Sequence, residues 1–280
     1  MTTFALIAFA ANSVLGRMAL AQGDIDPGNF TLLRLLSGAF SLIIISLFVQ
    51  KKPIRLVARS GQWPSSFALL LYAVAFSYGY VSLDTATGAL ILFTAVQLTM
   101  LIVSYLKGQR FSIMEWTGLI IAFIGFLILI APNLQSGSTA IGIILMSLSG
   151  MAWGAYTLLG KGAVNPTLLT TGNFIRSALL ALPLLLVSLP FDSISMLGIA
   201  LAIASGALAS GVGYALWYWV LPNLSTSQAA VCQLLVPALA AIGGIMFAND
   251  TLTTVLIVSL LVIVSGILLV IFAKPVTTKK

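Results

Sequence analysis

The chain has 280 residues, of which 60% are hydrophobic and only 7% charged, with a formal net charge of +7 and a mean hydropathy of +1.13. Soluble domains usually carry about a quarter of their residues as charges, so a soluble fold is excluded and an all-α polytopic membrane protein is expected. One cysteine (Cys232) and no histidine exclude a disulfide framework, a Cys/His metal cage and a histidine-based nucleophile, so neither a cofactor, a metal site nor an enzyme is expected.

Apolar stretches of about 20 residues, enough to cross the hydrocarbon core as a helix, recur along the chain. They predict ten spans: Thr3 to Gln22, Asn29 to Gln50, Trp63 to Leu83, Thr85 to Leu106, Ile113 to Pro132, Thr139 to Gly160, Thr167 to Leu189, Ile194 to Val220, Ser225 to Ala248 and Leu252 to Ala273. The first stretch ends in Ala19-Leu20-Ala21, a small-x-small pattern, but lacks the basic region of a signal peptide and reads as a retained span. Asp26-Pro27-Gly28, Pro132-Asn133, Asn165-Pro166 and Pro222-Asn223 supply the breaks, because a helix accommodates such sequences poorly.

With ten spans, alternate connections collect Lys51, Lys52, Arg55, Arg59, Lys107, Arg110, Lys161, Lys274, Lys279 and Lys280. The opposite connections hold Asp24, Asp26, Asp84, Asp192 and Asp250, and Glu115 alone among the acids falls on the basic side. The positive-inside rule then places both termini in the cytoplasm and accounts for the basic excess without a nucleic-acid partner. Arg17, Arg34 and Arg176 remain inside spans.

A self-comparison relates residues 1–133 to residues 134–280 at an offset of about 140 positions. Gly28-Asn29-Phe30 before Arg34 matches Gly172-Asn173-Phe174 before Arg176, Arg17 matches Lys161, Thr87-Gly88-Ala89 and Gln97 align with Ser227-Gln228-Ala229 and Pro237, and Gly125 aligns with Gly266. Each half holds five spans, an odd number, so the second half is inverted relative to the first. Two inverted five-helix repeats imply two interchangeable states around a central site.

Two five-helix halves, Trp153-Gly154 followed by Lys161, a proline and then an arginine in the next span (Pro27 and Arg34; Pro166 and Arg176), and the closing Gly125 and Gly266 resemble the EamA-type repeats of the drug/metabolite transporter superfamily. Tyr78-Gly79-Tyr80-Val81-Ser82-Leu83 and the run around Gln97 are similar to bacterial aromatic amino-acid exporters of the YddG type. The first repeat departs from the pattern, with Phe9 in place of the tryptophan and Arg17 in place of the lysine. The resemblance implies a carrier in the bacterial inner membrane that exports amino acids and related metabolites by alternating access.

Polar side chains at mid-membrane depth are costly unless they meet a partner or a cavity, which singles out Asn12, Gln97, Asn173, Gln228 and Gln233. Tyr214, Trp217 and Tyr218 stand at i, i+3 and i+4 on one face, Trp153 and Tyr156 share another, and Tyr78 aligns with Tyr218 across the repeat. These aromatics suit a pocket for aromatic or long apolar side chains. For Trp217 and Tyr218, near a span end, the interfacial belt is the favoured use over the pocket, whereas Trp153 and Tyr156, nearer mid-span, are expected at the cavity. Arg17, Arg34, Arg176 and Lys161 can meet a substrate carboxylate or snorkel to headgroups; snorkelling suits Arg34 and Lys161, and Arg17 and Lys161 are the gate candidates. Pro237 removes a backbone hydrogen bond inside the ninth span and marks a hinge. Gly118-x-x-x-Ala122, Gly150-x-x-x-Gly154 and Gly206-x-x-x-Ser210 predict close helix contacts.

The expected function is export of aromatic and other neutral amino acids, the partners being the small-molecule substrate and the lipid bilayer. Facilitated rather than proton-coupled transport is expected, because no acid or histidine falls mid-span. Efflux of lipophilic drugs or metabolites is the alternative, with a channel or an intramembrane enzyme further off.

Overall fold

A computed structural model describes residues 1–108, 110–132, 137–186, 188, 190, 194–220, 233 and 235–273. They form α1 (Thr2–Ala21), α2 (Pro27–Val49), α3 (Trp63–Tyr80), α4 (Thr85–Leu106), α5 (Ile113–Ile130), α6 (Gly137–Gly160), α7 (Pro166–Leu186), α8 (Met196–Val220), α9 (Leu235–Phe247) and α10 (Thr254–Phe272). A short helix, Ile54–Arg59, joins α2 to α3. Among the described residues, eight helices are long and apolar enough to cross a membrane, namely all but α3, α9 and that short helix. α3 has the length, at 18 residues, but Pro64, Ser65, Ser66, Ser77 and three tyrosines dilute its apolar character. The expected start of the ninth span at Ser225 lies outside the described residues, as do Pro222, Asn223, Gln228, Cys232, Asp192 and the last three lysines.

Helix starts follow from caps written in the sequence. Asp26 Oδ1 accepts from Gly28 N and Asn29 N at 3.0 and 3.1 Å, with Pro27 in the first turn of α2. Ser112 and Glu115 form a reciprocal capping box on α5, Asn165 caps α7 ahead of Pro166, and Ser195 and Thr253 cap α8 and α10. Each cap satisfies amide donors that the hydrocarbon would otherwise strand. α4 differs. Asp84 stands at its cap position without bonding its amides, and Asp250, from the far α9–α10 connection, accepts from Thr85 N at 2.7 Å.

α5 packs on α10, α3 on α6 and α7, α4 on α6 and α9, α1 on α8 and α9, and α2 on α7 and α8. Exchanging α1–α5 for α6–α10 turns this set of pairings into itself. Small residues permit the closest approaches, since lipid tails supply no hydrophobic drive between helices and backbone packing must replace it. A Cβ at Gly266 would stand 2.5 Å from both Ala122 N and Gly118 O, and one at Gly150 would stand 2.6 Å from Ala95 Cβ. The three small-residue patterns read from the sequence all mark such contacts, Gly206 and Ser210 by facing α2 and α1.

The sequence gives no warning of two π segments, Ile45–Val49 at the end of α2 and Ser205–Val212 inside α8. An i→i+5 turn brings residues five apart nearly into line, which an α-helix does not do. Ser205 and Ser210 consequently point the same way, and both donate to Asn12 Oδ1, at 2.8 and 3.2 Å.

Candidate functional site

Between the two halves lies a cavity of about 630 Å³, within the size range of small-ligand sites. α1 contributes Phe9, Asn12 and Ser13, α3 contributes Tyr72 and Phe76, and α4 contributes Leu92 to Ser104 on one face, including Phe93, Gln97 and Met100. Trp153 and Thr157 of α6, Tyr214, Trp217 and Tyr218 of α8, Gln233 and Ile267 of α10 close the ring. The lining extends along Gly160, Lys161, Gly162 and Ala163, so the cavity reaches the end of the bundle that carries the basic connections.

The rings form a continuous wall. Trp153 stacks on Tyr156 and Tyr214 at centroid distances of 5.2 and 5.1 Å and meets Tyr72 at 4.9 Å. Phe9 packs against Tyr214 and Trp217 at 5.6 and 5.7 Å. Offset and tilted pairs of this kind are favoured by the ring quadrupoles and hold the wall in one shape. Three carboxamides interrupt it: Asn12, whose oxygen is engaged by the two α8 serines, and the half-buried Gln97 and Gln233.

Of the residues singled out in the sequence, Asn12, Gln97, Trp153, Tyr214, Trp217, Tyr218, Gln233 and Lys161 meet at this cavity. Trp217 and Tyr218 line the cavity, which departs from the interfacial belt favoured for them in the sequence. Tyr156 stands one layer behind Trp153, buried, donating to Thr170 Oγ1 at 3.2 Å and accepting from Asn173 Nδ2 at 3.4 Å. Tyr78 does not reach the cavity. Its place is taken by Tyr72, which begins a stripe of rings at Tyr72, Phe76 and Tyr80, four residues apart and so on one face of α3, with neighbouring centroids 5.7 and 4.7 Å apart. That spacing was available in the sequence and is a better guide than the alignment of Tyr78 with Tyr218. Pro237 also faces elsewhere, into a small apolar pocket with Ala86, Leu90 and Leu256.

At the opposite end the bundle is closed. Arg17 donates to Asp84 Oδ1 at 3.2 Å and to the Tyr80 carbonyl at 3.5 Å, and its Nε lies 3.7 Å from Asp250 Oδ1. One guanidinium thereby ties α1 to the α3–α4 and α9–α10 connections. Burial pushes the Asp84 carboxyl above its ordinary range; the adjacent Asp250 adds to the rise and Arg17 opposes it. Below this lock lie the Tyr80 and Phe76 rings, both almost fully buried, and Phe76 lines the cavity.

The remaining two arginines divide. Arg176 bonds the Ser60 and Gly172 carbonyls and lies over the Trp63 ring at 5.5 Å, pinning the α2–α3 connection to α7. Arg34 does not snorkel. It is 2% exposed, because α3 and α8 cover the end of α2 that its stem would need to climb, and Tyr72 and Ser210 take two of its donors.

A model of the EamA-like transporter family matches the chain twice, over residues 1–131 and 140–272. The chain is 44% identical to the uncharacterized protein PA1977 of Pseudomonas aeruginosa over 270 residues, 96% of this chain and 93% of that one. It is 30% identical to the threonine/homoserine exporter RhtA of Salmonella typhimurium over 250 residues, 86% of this chain and 80% of that one. A solved protein structure 17% identical in sequence, covering 96% of each chain with a TM-score of 0.67, shares the fold. The lined cavity, the membrane-crossing bundle and the doubled family match lead to one conclusion: the chain belongs to the EamA-like transporter family, a multi-pass membrane transporter.

Proposed function

We propose that the protein exports neutral amino acids, aromatic ones included, across the bacterial inner membrane by alternating access between two inverted five-helix halves, residues 1–133 and 134–280. The observation that carries this reading is the cavity itself: a ring-walled chamber with three carboxamides, reaching the basic end of the bundle and sealed at the other by Arg17, Asp84 and Asp250. Stacked rings favour flat or long apolar side chains, and carboxamides offer a donor and an acceptor to the amino-acid backbone. With the basic connections in the cytoplasm, the open end collects substrate there and the carboxylate lock faces outward. Kinship to a protein named as a threonine/homoserine exporter supports amino acids as the cargo class. Substrate release requires the lock to part while the cytoplasmic mouth, at Lys161 and Ser104, closes, the two halves exchanging roles.

Efflux of lipophilic compounds is the second reading, and the apolar share of the wall favours it. A lipophilic cation would gain from a buried carboxylate beside the rings. Among the described residues, no Asp or Glu lines the cavity. Counterflow in proteoliposomes separates the two. Vesicles preloaded with unlabelled phenylalanine, threonine or alanine are expected to accumulate the labelled amino acid transiently, and lipophilic cations are expected not to compete. Uptake of the cations with no amino-acid counterflow would reverse the assignment.

A further inference from the structure

Among the described residues, Arg34 is a cation inside the bundle without an anion. Its side chain is 2% exposed, and both acids close to an arginine among the described residues, Asp84 and Asp250, are engaged with Arg17. Nη2 donates to the Tyr72 hydroxyl at 2.7 Å and Nε to Ser210 Oγ at 3.4 Å, whereas Nη1 is buried with no hydrogen-bond partner. The Phe76 ring centroid lies 4.4 Å from the guanidinium carbon and the Tyr72 centroid 5.1 Å. Ring faces soften the cost of the charge but supply no full counter-charge. A buried charge left unpaired is among the more expensive features a membrane protein can carry, and an ionisable side chain at such depth marks a substrate path.

The position of this charge fits a ligand. Tyr72 and Phe76 are cavity wall, with Arg34 standing directly behind them. Ser210 accepts from Arg34 and donates to Asn12, so one hydrogen-bond chain runs from the guanidinium to the cavity surface. The π segment of α8 makes that chain possible by turning Ser210 toward α1. The partners on Nη2 and Nε are neutral, so no described residue matches the formal charge.

Resting on the amino-acid reading above, we propose that Arg34 is the carboxylate site for the substrate: a movement of the Phe76 ring uncovers Nη1, and the amino-acid carboxylate becomes the counter-anion that the empty carrier lacks. A guanidinium meets two carboxylate oxygens through parallel donors, and no carboxamide in the wall offers a charge. The side chain then remains against the rings of Trp153 and Tyr214. The empty carrier holds its cation under an aromatic cover; the loaded one exchanges that cover for an ion pair.

The test compares phenylalanine with phenylalaninol, which keeps the ring and the amine and replaces the carboxylate with an alcohol. Both are offered as competitors of labelled phenylalanine in counterflow through the parent protein. Charge-assisted hydrogen bonds to a carboxylate predict that the alcohol competes at least about tenfold more weakly. In Arg34→Gln, phenylalanine transport should fall by a similar factor and the preference for the carboxylate should vanish, with Arg34→Lys between the two. Equal competition by the alcohol in the parent overturns the inference while leaving amino-acid transport standing, and this arm needs no variant to fold. A folded Arg34→Gln that slows phenylalanine yet keeps the full carboxylate preference assigns Arg34 to helix packing and also overturns it. Failure of the parent to move any amino acid overturns both the transport reading and this inference.

Discussion

Trp153 lines the cavity and has three ring neighbours, stacking on Tyr156 and Tyr214 and meeting Tyr72. Trp153→Ala is therefore expected to weaken aromatic substrates by about two- to tenfold, the value of one lost ring contact, and threonine or alanine less. Competition by each amino acid in counterflow reads the difference, and an equal loss for all would assign Trp153 to packing. The shared ring faces at Trp153 and Tyr156 and at Tyr214, Trp217 and Tyr218 were legible from helical spacing, and Arg17 stood out as a charge inside a span. Arg34 was misread for a physical reason. Distance from a helix end measures how far a stem must climb; burial depends on which neighbours cover that end, and here the cover comes from residues far away in sequence, Tyr72 and Ser210.

The lock yields a prediction about pH. Burial and Asp250 together raise the Asp84 carboxyl against the opposing pull of Arg17, so in the closed lock it keeps its proton to a higher pH than it would in open water. Protonation therefore favours the closed state, and that preference is lost as pH rises through the raised value. Acidifying the outer side should slow outward opening, and Asp84→Asn should hold the lock closed with no dependence on pH over that range. Arg17→Gln should act oppositely, since it leaves the largely buried Asp250 without its cation. The rate at which trapped labelled substrate escapes outward, measured against external pH, checks the sign. Faster escape on acidification would refute it.

Among the elements, the α5–α10 contact is the tightest test of packing. Gly266→Val would drive a side chain into the Gly118 and Ala122 backbone, where even a Cβ would approach to 2.5 Å. Overpacking of this kind costs about 1–3 kcal/mol, and the variant should show a lower midpoint in thermal unfolding in detergent. Gly160→Ala, where no atom lies within 4 Å of the added carbon, should leave the midpoint nearly unchanged. An unaffected Gly266→Val would place α10 away from α5. Helix starts at Asp26-Pro27 and Asn165-Pro166 were readable because caps are local chemistry. The π segment of α8 was not, because Ser205–Val212 carries no residue that forces an extra backbone turn. Its effect shows only in three dimensions, where Ser205 and Ser210 meet Asn12 and Ser210 meets Arg34.

For the whole molecule, membrane class followed from composition, and the two-part organisation was legible because corresponding residues recur in one order along the chain. The closed end was only half legible: the acidic residues could be assigned to one side, but the convergence of Asp84 and Asp250 on Arg17 joins connections more than 160 positions apart in the chain, as the 165-residue separation of Thr85 from Asp250 shows. Alternating access requires that the cavity open to one side at a time. A single cysteine at Ser13, which lines the cavity, in a Cys232→Ser background would report it through a membrane-impermeant thiol reagent applied from either face of oriented proteoliposomes. Labelling is expected from the cytoplasmic face in the resting carrier, and from the outer face only when an amino-acid substrate drives exchange. Labelling from both faces at once without substrate would indicate a channel and contradict it.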